Sequence, residues 1–186
     1  MKALHPLLNC AVAAFVAIFF AASPVVAQTA DLDALFDRLK SAQAAEADEI
    51  QAEIWIAWSK SGSDAMDLLL QRGRDAMAAG DATLAVQHLT ALVDHAPDFA
   101  EGWNARATAY YQLGQFGPSV SDIARALTLN PRHFGALAGL GTIFEELGAP
   151  DKAVEAYQAA LEINPFASGA ADAIARIQAA AQGQDL

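Results

Sequence analysis

Apolar and polar positions between residues 66 and 167 alternate with the period of a helix, and the alternation itself recurs. Leu69, Trp103 and Leu137 stand 34 residues apart. So do Ala85, Ser119 and Ala153, then Leu89, Ile123 and Tyr157, then Gly80, Gly114 and Gly148, then Pro97, Pro131 and Pro165. A fixed period of this length marks a solenoid, whose units are too small to bury their apolar faces alone and stack to do so. Each unit (66–99, 100–133 and 134–167) is predicted to hold a helix ending at glycine, a short turn, a second helix and a proline near its end. Gly114 and Gly148 suit helix ends because glycine enters the left-handed region without a steric penalty. Pro118 and Pro150 fall in the first turns of second helices, where a missing N–H loses no bond. Asn130-Pro131 and Asn164-Pro165 close those helices, since proline disfavours helix in the residue before it.

The flanks carry weaker forms of the same signal. Leu32, Leu35, Phe36 and Leu39 follow the spacing of one helical face. Ile50, Ile54 and Trp58 do so in a second helix, with Trp55 beside them. One period back, Leu35 matches Leu69 and Trp55 matches Leu89, but Gln51 and Ser63 break the register. Residues 28–65 therefore read as a divergent helix pair that caps the stack, followed by the turn Ser61-Gly62-Ser63. Residues 168–186 supply a last helix and tail, with Ala171, Ile174, Ala175 and Ile177 expected to face inward over the open end.

Composition adds a compartment. Leu7 to Ala22 is apolar or small apart from Asn9, Ser23-Pro24 breaks the run, and Val25-Val26-Ala27 places small residues where a signal peptidase reads. Residues 1–27 thus read as a secretory signal cleaved after Ala27, which makes the protein exported and periplasmic. The alternative is an uncleaved membrane anchor, for which the run falls short of the ~20 residues a spanning helix needs. Cys10 is the one cysteine, so the mature chain would hold no disulfide and no thiolate metal site. Without Lys2 it would carry 10 basic against 22 acidic residues. Such a surface repels phosphate backbones, which argues against nucleic acid and leaves a neutral or basic protein or peptide as partner.

The repeated units resemble tetratricopeptide repeats. In the third, Leu137, Leu140, Gly141, Phe144, Ala153, Tyr157, Ala160 and Pro165 fill the family's pattern; the second keeps Trp103, Tyr110, Ala126 and Pro131; the first is weaker, with Arg72 and Ala76 at pattern positions. The resemblance implies an all-α fold, a right-handed solenoid of antiparallel helix pairs. It also implies a concave surface lined by the first helix of each unit. Carried over by position, that surface shows Asp67, Leu70, Arg74 and Met77, then Glu101, Asn104, Thr108, Tyr111 and Gln112, then Thr142, Glu145 and Glu146. From these, Arg74, Glu101, Asn104, Thr108, Tyr111, Gln112, Thr142 and Glu145 are the candidate partner-binding residues. Tyr111 could stack and Asn104 could hold a backbone amide of an extended or helical segment. Relatives that grip acidic chaperone tails use lysine, asparagine and arginine, whereas Leu70, Ala105, Gly135 and Gly139 stand at the corresponding places here. That carboxylate clamp is absent.

Small residues at Gly73, Ala107 and Gly141, opposite Ala85, Ser119 and Ala153, let paired helices approach closely. Trp103, Tyr110, Phe144 and Tyr157 have packing spacing and are expected to fill the core. Arg106 stands where the pattern asks for leucine, and a buried cation needs a counter-charge. Asp122 is the only acid in the returning helix, so a structural ion pair Arg106–Asp122 is expected. Arg72, at the same place in the first unit, faces His88 instead and must turn elsewhere. His88 and His95 are seven residues apart, about 10 Å by helix rise, too far to share a metal. Glu145-Glu146 point about 100° apart, which suits no concerted acid–base step. With no nucleophile cluster, phosphate loop, metal site or cofactor motif, the expected function is a non-enzymatic interaction scaffold in the cell envelope. A self-associating subunit and a regulator of an envelope enzyme are the alternatives.

Overall fold

A computed structural model describes residues 24–167 and 169–183. The signal expected over 1–27 lies almost wholly outside them. Among the described residues nine helices follow one another without a strand: α1 (Pro24–Ser41), α2 (Ala44–Trp58), α3 (Asp64–Ala78), α4 (Ala82–His95), α5 (Ala100–Gln112), α6 (Phe116–Leu129), α7 (Phe134–Glu146), α8 (Pro150–Ile163) and α9 (Ala170–Ala181). Helices α3–α4, α5–α6 and α7–α8 are the three repeated pairs, packed within each pair, with α9 laid on α8.

The period has a physical cause at the turns and at the contacts. Gly80, Gly114 and Gly148 each take φ between 66° and 80°, reversing the chain where a side chain would strain it. Inside each pair a small residue faces a large one. A Cβ added to Gly73 would come within 2.5 Å of Leu89, and one added to Gly141 within 2.6 Å of Tyr157. Ser119 fits the same seam by donating its hydroxyl to the Ala107 carbonyl at 2.7 Å.

Two expectations change. The pair α1–α2 does not continue the stack: among the closely packed helix pairs, α1 and α2 partner only each other. Its apolar face, with Leu35, Phe36, Leu39, Ile50, Ile54 and Trp58, belongs to one core cluster with Phe134, Tyr157, Ala160, Ala167, Ala170 and Ala173. The hairpin therefore folds across to α7, α8 and α9 rather than capping α3. The broken register explains this, since Gln51 stands where a small seam residue would be and accepts instead from the buried Asn164 Nδ2 at 2.8 Å. In α9, the inward face is Ala170, Ala173, Ile174 and Ile177, while Ala171 and Ala175 are exposed. The helix starts at Ala170 after a left-handed Gly169, which shifts the buried face off the expected one.

Candidate interaction cleft

Glu101 opens the site. It lies in the first turn of α5, 3% exposed, and all its bonds are internal. Arg74 of α3 donates through Nη2 to Oε1 at 2.6 Å, Asn104 Nδ2 donates to Oε2 at 3.2 Å, and His133 Nε2 meets Oε2 at 2.8 Å. The other imidazole nitrogen, Nδ1, accepts from the Ala136 N–H at 3.1 Å and caps α7. Since Nδ1 accepts, the ring proton sits on Nε2 and is donated to Glu101. One buried carboxylate thus ties α3, α5 and α7 together.

The hairpin fastens to this network from two sides. Trp58 stacks on the His133 ring at 4.3 Å and 21°. Ser59, just past α2, accepts from Arg74 Nη1 at 3.0 Å and donates to the Trp55 carbonyl at 2.7 Å. Trp55 meets His133 and Phe134 edge-on at 5.5 and 5.7 Å. It can come so near because position 135 is glycine: a Cβ there would lie 2.6 Å from the indole.

Between these elements opens a cavity of about 620 Å³. Trp55, Ile56, Ser59 and Lys60 form one wall; Arg74, Met77, Glu101, Asn104, Ala105 and Thr108 form the other. Ile56 is 63% exposed at its edge. A smaller recess of about 120 Å³ continues past Asn104 and Thr108 between α5, α6 and α7, lined by Tyr111, Ile123, Gly135, Gly139 and Thr142 among others. A cleft of this size, mainly apolar with a few polar groups, is the form of site that takes up a ligand segment.

The expected residues fall into three groups. Arg74, Asn104, Thr108, Tyr111 and Thr142 are brought together along the two cavities. Glu101 lines the first, but as a buried structural acid rather than a free one. Gln112 and Glu145 line neither. Gln112 is exposed as the last residue of α5. Glu145 is occupied by α9, accepting from Arg176 at 2.7 and 3.2 Å and from the Tyr157 hydroxyl at 2.7 Å. The bond from Arg176 is the main reason its carboxyl is held below the usual carboxylate range. Burial pushes the Tyr157 phenol up to about 12. Leu70, placed on the concave surface by position, is buried in a cluster with Ala105 and Ala109.

The repeat pattern does not single out Ile56, Ser59 and Lys60, and it sets Trp55 only level with the packing residue Leu89; all four reach the cleft because the hairpin leaves the stack. The period did carry a trace: Asp67, Glu101 and Gly135 are equivalent positions, and the glycine marks where a large side chain must enter.

Arg106 and Asp122 meet as a bidentate pair, Nε to Oδ2 at 2.7 Å and Nη2 to Oδ1 at 2.9 Å. The bond to Asp122 raises the guanidinium pKa further. Trp103 and Tyr110, expected in the core, are half-buried and flank that guanidinium at 4.9 and 5.7 Å from their ring centres. Arg72 is exposed.

A tetratricopeptide repeat model matches residues 70–117 and 104–168, more than half of the chain. The chain belongs to the tetratricopeptide repeat family. A TPR repeat-containing protein of Rhizobium etli is 36% identical over 135 residues, 72% of this chain; the chain spans 66% of that relative's length. Among solved structures, the first TPR of Spaghetti (RPAP3) bound to the HSP90 peptide SRMEEVD is 25% identical with a TM-score of 0.61, covering 64% of this chain and 95% of that one. The MamA protein is 22% identical with a TM-score of 0.58, covering 84% of this chain and 82% of that one. Tetratricopeptide repeats typically mediate protein–protein or peptide interactions and are generally non-enzymatic scaffolds.

Proposed function

We propose that this chain is a non-enzymatic scaffold that holds a segment of a protein partner in the cleft walled by α2, α3 and α5. The observation that carries this reading is the cavity of about 620 Å³, where Asn104 and Thr108 stand among Trp55, Ile56, Met77 and Ala105. The charge of the cleft narrows the partner. Its ionic groups are Lys60, Arg74 and Glu101, and the last two are bonded to each other. The acidic surplus lies elsewhere, with seven acids against two basic residues in α1–α2 alone. A neutral, partly apolar segment therefore fits better than an acidic tail, and Leu70, Ala105, Gly135 and Gly139 leave no basic clamp for one.

Thr108, exposed and lining both cavities, is the place to test this. The variant Thr108→Arg lays a long cation across the cleft. Its capture of the partner from envelope extract should fall at least about tenfold, the effect of removing a ~1.4 kcal/mol contact. The control Gln158→Arg, exposed on α8, should capture as the parent does. Equal capture by Thr108→Arg, at equal helicity, overturns the reading.

The setting belongs to the same proposal. The apolar run Leu7–Ala22 and the Val25–Ala27 site support export to the cell envelope, with a mature protein beginning at Gln28. Cleavage there trims only the first turn of α1 and leaves Leu35, Phe36 and Leu39 in place. Intact mass of the protein from its native cells checks this; retention of residues 1–27 in the membrane fraction contradicts it.

A further inference from the structure

The recess of about 120 Å³ beside the cleft has no charged residue in its lining, in a chain whose formal net charge is -11. Three of the hydroxyls around it spend their protons inside the protein. Ser119 donates to the Ala107 carbonyl at 2.7 Å and Thr108 to the Asn104 carbonyl at 3.1 Å, while Thr142 meets the Ala138 carbonyl and the Tyr157 hydroxyl. Ala107, Ile123 and Ile143 complete a lining that is apolar in effect. Gly139 gives this space its meaning. Helix α7 holds three glycines, and two of them are explained by their neighbours, since a Cβ on Gly135 or Gly141 would lie 2.6 Å from Trp55 or Tyr157. A Cβ on Gly139 would meet nothing nearer than Ile123 Cδ1 at 4.0 Å. Glycine inside a helix is less stable than alanine, so residue 139 forgoes stability that its packing does not ask it to forgo. What the missing side chain leaves is room in the recess.

Volume and spacing say what fits. The recess is smaller than the ~150 Å³ that holds a benzene ring, and equals about four waters of ~30 Å³ each. That suits the carbons of one leucine or isoleucine side chain and is too little for an indole. Asn104 and Tyr111 stand along its α5 wall seven residues apart. The helix rise makes that ~10.5 Å, about three residues of extended chain at ~3.3 Å each. Asn104 commits its Nδ2 to Glu101 and keeps Oδ1 to accept a backbone N–H. The half-buried Tyr111 can donate its hydroxyl to a backbone carbonyl. A segment held at both ends in this way sets its middle side chain over the recess. We infer that the recess is a specificity pocket, which takes one leucine-sized aliphatic side chain from an extended, uncharged stretch of the partner. This rests on the cleft being the partner site and adds what the partner carries there.

The blocked peptide acetyl-Ala-Ala-Leu-Ala-Ala-amide serves as the probe, titrated into the full chain with its isoleucine methyls labelled for NMR. The Ile123 methyl signal should shift saturably. Probes with alanine or aspartate at the centre should bind at least tenfold more weakly, the effect of leaving a leucine side chain unburied. Gly139→Leu fills the recess from α7 and should abolish the shift. Gly139→Ala adds one methyl without a clash, so it should weaken the leucine probe severalfold, leave the alanine probe unchanged and melt no lower than the parent. No saturable shift with the leucine probe, equal affinity for the leucine and alanine probes, or a leucine probe indifferent to Gly139→Ala overturns the pocket. Capture from envelope extract separates the pocket from the cleft. Loss of capture in Thr108→Arg with full capture by Gly139→Leu overturns the pocket and leaves the cleft standing. Full capture by Thr108→Arg overturns the cleft reading itself.

Discussion

The Arg106–Asp122 pair shows how one residue out of pattern finds its place. A leucine position has become a cation, and the fold accommodates it because the opposite helix offers its only acid at the matching level. The side chains are 14% and 6% exposed, so neither is well solvated. Removing one partner from such a pair strands the other. Asp122→Ala should lower stability by about 3–5 kcal/mol, read from urea unfolding. Adding Arg106→Leu should restore much of that loss, because breaking a buried pair costs far more than replacing it with packed apolar groups. A neutral Asp122→Ala would mean that Trp103, Tyr110 and Thr90 hold Arg106 by themselves. This pair was legible in the sequence because antiparallel return across a fixed turn sets which residues lie level. The network around Glu101 was not. Its carboxylate occupies a position that pattern alone assigns to the open groove, and it is the distant His133 and Arg74 that make it internal.

At the scale of elements, the repeats were legible and their attachments were not. Helices α3 to α8 follow from a period enforced by small residues at each seam and left-handed glycines at each turn. The flanking helices have apolar faces too, but an apolar face does not name what covers it. The hairpin went to α7–α9, where Gly135 leaves room for Trp55 and Trp58 stacks on His133, and α9 took the face set by Gly169. The α9 attachment has a pH signature. Glu145 accepts from Arg176 of α9 and has a lowered pKa, so its contribution is present above the usual carboxylate value near 4.5. It is lost as pH falls through the depressed folded value. Arg176→Ala should therefore speed amide exchange of α9 at pH 7, and the difference from the parent should vanish once Glu145 is protonated in both. A difference that persists at the lowest pH where the protein stays folded would show that Arg176 acts on α9 by another route.

As a whole, the molecule is a three-unit solenoid whose N-terminal hairpin supplies the second wall of a cleft. The sequence carried the solenoid and five of the cleft's residues, Arg74, Asn104, Thr108, Tyr111 and Thr142. It did not carry the second wall, because Trp55 to Lys60 arrive there through a contact between segments some 80 residues apart along the chain. Site-specific photo-crosslinking in the native cell reads directly whether a partner sits between the two walls of the cleft. A photo-reactive residue would be placed at Ile56 on the hairpin wall, at Thr108 on the α5 wall, and at the exposed Gln158 on α8. One and the same partner should be crosslinked from positions 56 and 108, and none of it from 158. Crosslinks to that partner from 158 alone, or from 108 but never from 56, would contradict a site shared between the solenoid and its hairpin.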